Sequence, residues 1–338
     1  MSKIAPKIFA TRVLTWQKHH GRHDLPWQNP PTPYRVLVSE IMLQQTQVST
    51  VIPYFERWMA RFPTLEHLAN ATEDEVMALW QGLGYYSRAR NLHKAARFII
   101  GEYQGKFPTE LADIQKIPGV GRYTAGAIRS FAFDAYGPIV DGNVRRLFCR
   151  FFGIEGIPST AAVNNQLWQL AEDYTPATDN RRFAQGLLDL GATCCTPRAP
   201  NCKECPLHES CYALKTQQID QLPTPKQKQV TPVRPGHFLW SGNQHSIFLQ
   251  KRPERGIWAS LWCLPEVQSP PTDATLVGEF EHTFSHYKLI AKVWREKTQQ
   301  VNESQEGTHV SYNELSAFGL PAPIRKFIQA QRQIPNHT

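Results

Sequence analysis

The sequence lacks features that would place it among membrane or secreted proteins. Its 338 residues contain no run of about 18 or more apolar residues, so we expect no membrane-spanning helix. The segment Met1–Pro6 shows no apolar core followed by a small-residue cleavage site, so we expect no secretory signal. Seven cysteines form an odd set, and five of them lie between positions 194 and 211, which argues against a disulfide scaffold. We therefore expect a reducing, cytoplasmic location.

Length and charge narrow the possibilities further. The chain is long enough for two or three domains, and it shows no internal repeat or long low-complexity tract. Hydrophobic residues make up 41% and charged residues 20%, a composition that excludes wholesale disorder. Lys and Arg number 37 against 29 Asp and Glu, so the net charge of +8 favours an anionic partner without identifying it.

A change of composition divides the chain. Residues 215–235 are rich in proline and glutamine and poor in apolar residues, which is typical of a linker. Before this segment, strand-like alternation is scarce and helical spacing predominates. The pattern predicts helices over 35–52, 92–99, 122–133, 142–152 and 161–173, and the capping box Thr72–Glu75 predicts the start of another.

The C-terminal part has α+β character. Short β-type runs at 237–240 and 246–250 flank a Ser-Gly-Asn-Gln segment at 241–244, a pattern that predicts a β-hairpin. A further strand is expected at 289–294 and a terminal helix at 322–331.

A glycine turn stands between two predicted helices. Gly119 and Gly121 permit a tight turn, and backbone N–H groups at the start of the next helix would face outward, ready to bind a phosphate. An ordinary helix–turn–helix corner would use the same glycines. Lys116 and Arg122 flank the turn, and Asp141 follows Gly121 by 20 residues.

Four cysteines form a compact set with the spacing Cys195-x6-Cys202-x2-Cys205-x5-Cys211. Four thiolates hold either zinc or a [4Fe–4S] cluster. The usual zinc spacing pairs two Cys-x2-Cys units, and only one is present here, which argues against zinc. Cys194 lies beside this set and is expected to be a buried apolar residue.

After the glycine turn and the cysteine set, Glu40 is the third feature of the sequence that points to a functional site. A glutamate within an apolar helical segment is energetically costly unless it is paired or functional. It could instead face solvent, but its apolar neighbours Leu37 and Ile41 argue against full exposure.

These motifs together resemble the MutY-type adenine DNA glycosylases of the helix-hairpin-helix/Gly-Pro-Asp superfamily, over essentially the whole chain. The turn at 118–121 with Asp141 resembles the superfamily signature, and the cysteine spacing resembles its cluster loop. The segments that carry the closer match are 25–27, 38–48, 82–86 and 140–144.

The resemblance implies a mechanism of acid-catalysed adenine loss. Glu40 would protonate N7 of a flipped-out adenine, which requires a raised pKa, and Asp141 would stabilise the oxocarbenium-like sugar. Asp141 is also a candidate N-cap for a helix starting at Gly142. Tyr123 and Asn143 would assist. Bifunctional relatives carry a lysine at position 123, and since a phenol cannot form a Schiff base, we expect no strong lyase activity.

The resemblance also assigns contacts to double-stranded DNA. Gln45 and Tyr85 match residues that wedge into the duplex, and the hairpin would contribute Gly119, Gly121 and Arg122. Phe284, Ser285 and His286 match the segment that recognises 8-oxoguanine. Residues 256–265 resemble the glycine-x-tryptophan entry of Nudix domains, but no carboxylate cluster follows, so this domain should bind without hydrolysing.

The fold class that the resemblance implies is a mainly α catalytic part followed by a Nudix-like α+β domain. An iron–sulfur domain would comprise residues 1–25 and 135–215, a six-helix barrel 26–134, a linker 216–235 and the Nudix-like domain 236–338. The expected protein is a monomeric, monofunctional base-excision repair enzyme with one [4Fe–4S] cluster, acting on adenine opposite 8-oxoguanine or guanine and making no membrane contact.

Three alternatives stay open. An endonuclease III-type glycosylase/lyase is opposed by Tyr123 and by the additional C-terminal domain. A non-catalytic lesion-binding protein is opposed by the presence of both Glu40 and Asp141. A nucleotide hydrolase is opposed by the missing Nudix carboxylates.

Overall fold

A computed structural model describes residues 4–226, 230–296 and 307–333. Residues 1–3 of the first predicted domain, 227–229 of the predicted linker, and 297–306 and 334–338 of the predicted Nudix-like domain lie outside the described residues. The chain forms two compact units. Unit 1 comprises residues 1–69 and 94–227, and unit 2 comprises residues 70–93 and 228–338. None of the helices in the described ranges combines the length and apolarity needed to cross a bilayer.

Helices dominate the first two thirds of the chain, and strands follow. The helices are α1 Pro6–His20, α2 Pro33–Leu43, α3 Val48–Arg61, α4 Leu65–Asn70, α5 Glu73–Trp80, α6 Ser87–Tyr103, α7 Leu111–Ile114, α8 Arg122–Phe133, α9 Gly142–Phe152, α10 Ala161–Tyr174, α11 Asn180–Asp189, α12 Tyr212–Lys215 and α13 Ala322–Gln333. The strands are β1 Val233–Leu239, β2 Ser246–Lys251, β3 Trp262–Cys263, β4 Glu266–Val267, β5 Ala274–Thr283, β6 Lys288–Glu296 and β7 Gly307–Ser311.

Most helices lie where the sequence predicts them, with one correction. The capping box on Thr72 and Glu75 is formed, and α8 and α9 span the predicted residues. The single helix expected over 35–52 is wrong, because α2 ends at Leu43 and α3 begins at Val48. Gln45 has φ of 58°, a left-handed conformation that a helix cannot contain, so the chain turns there.

The predicted hairpin around residues 241–244 is also wrong. The strands of unit 2 form two sheets with the orders β4-β1-β6-β5 and β3-β2-β7, so β1 and β2 belong to different sheets. The turn itself is present, because Asn243 Oδ1 accepts hydrogen bonds from the backbone N–H groups of His245 and Ser246. It connects two sheets, with a single isolated bridge between Gly242 and Ile247.

The ring of Phe9 on α1 lies at the centre of an aromatic core in unit 1. It is fully buried, and its centroid lies 5.2–6.3 Å from those of Phe148, Phe151, Phe152, Tyr174 and Phe183. These rings come from α9, α10 and α11, so one side chain of α1 joins three later helices. Cys194, Cys195 and Leu207 belong to the same buried cluster.

The described start of the predicted linker is held against unit 1. Arg150 Nε donates to the carbonyl oxygen of Leu222 over 2.9 Å, and Leu222 is buried. The N–H of Gly156 donates to Thr224 Oγ1 over 3.0 Å. Residues up to 224 therefore pack as part of this unit.

Unit 2 contains a helical segment from the N-terminal half. Asp74 accepts hydrogen bonds from Lys251 Nζ and Trp262 Nε1, and Gln81 Nε2 donates to the Leu320 carbonyl oxygen. Residues 70–93 thus pack with the C-terminal strands, whereas the sequence assigns them to the barrel of residues 26–134. The predicted domain boundaries themselves stay a prediction.

The position of Phe9 predicts a large loss of stability on its removal. Phe9→Ala should lower the free energy of unfolding by about 3–5 kcal/mol, because it deletes a buried ring and leaves a cavity. Ile8→Ala, at a neighbouring residue that is 49% exposed, is the control and should change it by less than about 1 kcal/mol. Chemical denaturation measures both, and equal losses would contradict the central role of Phe9.

Candidate active site

Glu40 lies in the interior of α2. This helix begins at Pro33, with the Thr32 hydroxyl accepting a hydrogen bond from the Arg35 N–H. Leu37 and Ile41 are buried, and Glu40 itself is only 4% exposed. The solvent-facing alternative for Glu40 therefore does not apply.

The Glu40 side chain lines a cavity of about 260 Å³ within unit 1. Helices α1, α2 and α11 and the segment between α1 and α2 contribute its walls. The wall combines apolar side chains such as Trp27 and Leu188 with polar and charged ones such as Arg22, Ser39 and Gln185, and the polar and charged ones make up more than half of the lining residues. A concave cavity that joins apolar surface to fixed polar groups is a usual form of a site for a small molecule.

Burial raises the pKa of Glu40 to about 7. A hydrogen bond from Tyr123 lowers it, and the nearby carboxylate of Asp141 raises it. Glu40 Oε2 has no hydrogen-bond partner among the described residues. At neutral pH, a large fraction of this carboxyl group therefore carries a proton.

The predicted hairpin supplies Tyr123. After α7, Gly119 adopts φ of 80°, and Gly121 precedes the first residue of α8. Because α2 packs against α8, Tyr123 in the first turn of α8 reaches Glu40. A Cβ atom added at Gly121 would meet no atom within 4 Å, so the space outside this turn is open to a ligand.

Asp141 is both the N-cap of α9 and a member of the site. Its Oδ1 accepts the Val144 N–H over 2.7 Å, and its Oδ2 accepts from Asn143 Nδ2 over 3.1 Å. Burial raises the pKa of Asp141, while these hydrogen bonds and the Arg146 guanidinium oppose that shift. The opposing contacts favour the charged form of Asp141, in contrast to Glu40.

Arg146 holds Asn143 in place, a role that the sequence interpretation missed. Its Nη2 donates to Asn143 Oδ1 over 3.0 Å, and its Nε donates to the Cys195 carbonyl oxygen over 2.7 Å. Because the amide oxygen of Asn143 is occupied, its Nδ2 faces Asp141. The i, i+3 spacing of Asn143 and Arg146 on one helix face was the available signal.

A second hydrogen-bond network that the sequence interpretation missed surrounds Asp189. This residue is fully buried, and its carboxylate accepts hydrogen bonds from Arg22 N, Arg22 Nε and Gln185 Nε2 over 2.7–2.9 Å. Gln185 also lines the cavity, and the bond of its amide nitrogen to Asp189 restrains its amide group. The i, i+4 spacing of Gln185 and Asp189 on α11 is a weak signal, because the Arg22 partner lies 167 residues away.

The four predicted metal ligands, Cys195, Cys202, Cys205 and Cys211, line one pocket. Arg150 Nη1 lies 3.5 Å from Cys195 Sγ. All seven cysteines are free thiols, and buried Cys194 lines the same pocket, with its thiol 3.2 Å from the Asn201 carbonyl oxygen and hydrogen-bonded to Cys205. In the described ranges, no three His, Cys, Asp or Glu side chains already form a metal-binding group.

The predicted DNA contacts lie at exposed positions. Gln45 and Tyr85 both have positive φ, and Tyr85 is 50% exposed. The Arg122 guanidinium already has partners, since it lies 2.6 Å from Glu172 Oε1 and 4.1 Å from the Trp168 ring centroid. Backbone groups of the hairpin, rather than this side chain, are thus left for a phosphate.

Phe284, Ser285 and His286 form the loop between β5 and β6. They line a cavity of about 680 Å³ that lies entirely within unit 2. The segments 82–87 and 256–259 line the same cavity, so Tyr85 and the Phe-Ser-His loop share it. Ser285 and His286 are exposed.

Comparison with known proteins identifies two family domains and close relatives of the whole chain. The profile of the HhH-GPD superfamily base excision DNA repair proteins matches residues 38–173, and that of the NUDIX domain matches residues 237–330. The chain is 36% identical over 341 residues to the adenine DNA glycosylase of Buchnera aphidicola subsp. Schizaphis graminum, covering 95% of this chain and 98% of that protein. It is 34% identical over 360 residues to the adenine DNA glycosylase of Mus musculus, covering 85% and 70%.

Solved structures show the same helical fold. A thermostable thymine-DNA glycosylase superposes with a TM-score of 0.57 at 30% identity, covering 62% of this chain and 97% of that chain. An endonuclease III in a non-covalent complex with DNA gives 0.53 at 21% identity, covering 64% and 99%, and shows the fold alone. The predicted fold classes of both parts are thereby confirmed.

The raised pKa of Glu40 predicts a pH-dependent cost in stability. The folded state binds this proton more tightly than the unfolded chain, so stability falls as pH rises from about 4.5 to about 7. Glu40→Gln should therefore be more stable than the wild type at pH 8, by up to about 3 kcal/mol, and gain little at pH 5.

Thermal denaturation at pH 5 and pH 8 measures this difference. Glu102→Gln, at an exposed carboxylate, is the control and should follow the wild type at both pH values. A gain for Glu40→Gln that is the same at both pH values would contradict the raised pKa.

Proposed function

The chain belongs to the adenine DNA glycosylase family of HhH-GPD base-excision repair enzymes, and from this membership we propose that its substrate is adenine mispaired with 8-oxoguanine or guanine in double-stranded DNA. The enzyme hydrolyses the N-glycosidic bond of adenine. The observation that carries the mechanism is the buried carboxyl group of Glu40, whose pKa is raised by burial to about 7, on the wall of a base-sized cavity.

Glu40 acts as the general acid. Adenine is a poor leaving group as an anion, and a proton delivered to N7 lets it depart as a neutral base. The unpartnered Oε2 of Glu40 is the atom available for this transfer. The target base must first leave the duplex, at a cost of a few kcal/mol, and the cavity receives it.

The polar groups of the cavity suit adenine. The amide oxygen of Gln185, a residue whose amide nitrogen is bonded to Asp189, accepts a hydrogen bond from the 6-amino group. A 6-oxo purine would place an acceptor against that oxygen. The buried carboxylate of Asp189 therefore favours an amino purine at this position.

Asp141 stabilises the positive charge that develops on the sugar. Its carboxylate is fixed by Val144, Asn143 and the N-terminus of α9, so it needs no rearrangement as charge develops. Tyr123 contacts Glu40 and lies in the field of Asp141. With a phenol rather than an amine at this position, water instead of a protein amine adds to C1′ of the sugar, and the abasic site is left in an unbroken strand.

The unit 2 cavity is the proposed reader of the opposite base. Tyr85 supplies an exposed ring for insertion into the duplex, and Ser285 and His286 supply hydrogen-bonding groups beside it. 8-Oxoguanine differs from guanine by a donor at N7 and an oxygen at C8, and both can be recognised by hydrogen bonds. The segment after residue 265 lacks the carboxylate cluster of a Nudix hydrolase, so this domain binds without hydrolysing.

We also propose that Cys195, Cys202, Cys205 and Cys211 hold a [4Fe–4S] cluster. Five cysteines line this pocket, and the four with the predicted spacing suit such a cluster in number and chemistry, while the Arg150 guanidinium provides a positive partner for a thiolate. The cluster would crosslink residues 195–211 and thereby fix the Cys195 carbonyl that holds Arg146.

Two further proposals concern the oligomeric state and the location of the enzyme. The acid, the anion and the hairpin all lie in one chain, so the enzyme needs no second subunit and acts as a monomer. We also propose a cytoplasmic location with the nucleoid, and the free thiols and the proposed DNA substrate support this proposal.

The test of function is a duplex with one adenine opposite 8-oxoguanine, guanine or thymine. We expect adenine release from the first two under single-turnover conditions, and a strand break only after hot alkali. Glu40→Gln should bind the duplex and lose at least about a hundredfold in rate, since general acid catalysis contributes about 10²–10⁴-fold. A loss below about tenfold would rule Glu40 out as the acid, and excision from the thymine duplex at equal rate would refute the mispair specificity.

Iron analysis tests the cluster. Cys202→Ser should lower the iron content and the visible absorption of anaerobically purified protein, because one thiolate ligand is lost. Cys194→Ser is the matched control and should retain both, as it removes only a buried thiol outside the ligand set. Stoichiometric zinc without iron in the wild type would refute the cluster.

A further inference from the structure

The loop of residues 256–261 carries the glycine-x-tryptophan motif, and none of the roles proposed above is assigned to it. Its conformation is unusual, because Trp258 and Ser260 both have positive φ, of 53° and 60°. L-residues adopt this conformation rarely, and it persists only where surrounding contacts fix it. The loop lines the unit 2 cavity that contains the Phe-Ser-His loop.

Contacts on both sides fix this loop. The Ser260 N–H donates to the Pro253 carbonyl oxygen over 3.0 Å, and Arg252 Nε donates to the Ile257 carbonyl oxygen over 3.1 Å. Arg90, five residues after Tyr85, donates from Nη1 to the Ala259 carbonyl oxygen. The loop is therefore tied both to its own domain and to the segment that carries Tyr85.

Trp258 connects this fixed loop to the Phe-Ser-His loop. Its ring is 8% exposed, and its centroid lies 5.4 Å from that of Phe284 and 5.8 Å from that of His282. On the core side, it lies 6.3 Å from Phe238, which is fully buried on β1. By contrast, Ser285 and His286 are exposed, and within the described residues Ser285 Oγ contacts only His286 Nδ1, over 3.4 Å.

We propose that Trp258 is a positioning residue for discrimination of the opposite base: its ring packs against Phe284 and holds Ser285 and His286 at a fixed distance from Tyr85. This inference rests on the proposed sensing of 8-oxoguanine by the Phe-Ser-His loop. Trp258 itself need not touch DNA. Its effect is confined to substrates whose opposite base the loop distinguishes.

The experiment compares single-turnover adenine excision from duplexes with adenine opposite 8-oxoguanine and opposite guanine. Trp258→Leu should lower the ratio of the two rates about three- to tenfold, the range expected from loss of an aromatic contact. The rate opposite guanine should change less than about twofold. Trp258→Phe keeps an aromatic ring but loses part of the contact, so it should lower the ratio by a smaller factor than Trp258→Leu.

A matched control separates positioning from general destabilisation. Trp240 is a tryptophan of the same domain, and it is 7% exposed, close to the 8% of Trp258. It packs against Phe327 on α13 rather than against the loop. Trp240→Phe should leave the ratio unchanged. Thermal denaturation of each variant checks that the domain stays folded, because its unfolding would by itself lower the ratio. If Trp258→Leu does not fold, Trp258→Phe alone should still lower the ratio measurably, and an unchanged ratio in that variant overturns the proposal.

A double-mutant comparison distinguishes failure of this inference from failure of the proposed function. Ser285→Ala with His286→Ala should lower the ratio, and adding Trp258→Leu should lower it no further, because both act through one loop. If the loop variant keeps the full ratio, the sensing function is wrong. If the loop variant lowers the ratio and Trp258→Leu does not, or if the two effects multiply, the positioning role alone is wrong.

Discussion

The burial of one carboxyl group beside another governs the chemistry of this enzyme. Glu40 is removed from water within α2, and Asp141 lies close enough for its charge to raise the pKa of Glu40 further. Two adjacent carboxylates in an apolar site cannot both ionise readily, so one holds a proton and the other a charge. Which one ionises is decided by hydrogen bonds: Asp141 accepts from Val144 and Asn143, whereas one oxygen of Glu40 accepts none from the described residues.

The rest of unit 1 maintains this asymmetry. The N-terminus of α9 provides the N–H that fixes Asp141, and Arg146 fixes Asn143 while its Nε holds the Cys195 carbonyl oxygen. A short series of hydrogen bonds therefore extends from the catalytic anion to the cysteine loop. The turn at Gly119 and Gly121 places Tyr123 against Glu40, because α8 starts immediately after this turn. The burial that raises the pKa of Glu40 lowers the stability of the fold at neutral pH, and function requires this cost.

The sequence predicted those parts of the site that depend on local rules. Asp141 as an N-cap, the turn at Gly119 and the capping box on Thr72 are decided by neighbouring residues, and all three are present. The networks around Asp189 and Arg146 could not be predicted, because their partners come together only when distant helices pack. Ile41 and Val48 are seven residues apart, a spacing that a single helix would also show, so the pattern concealed the break at Gln45. The turn at Asn243 was recognisable, but its partner strands depend on the pairing of β1 with β6.

The central claim is that Glu40 is partly protonated at neutral pH. Glutamate labelled with ¹³C at the side-chain carboxyl carbon, with the Glu40 signal assigned by its absence in Glu40→Gln, reports the titration of this group directly in the folded protein. The account predicts a midpoint near pH 7. A midpoint at or below about 4.5, the value of an unperturbed glutamate, would contradict it.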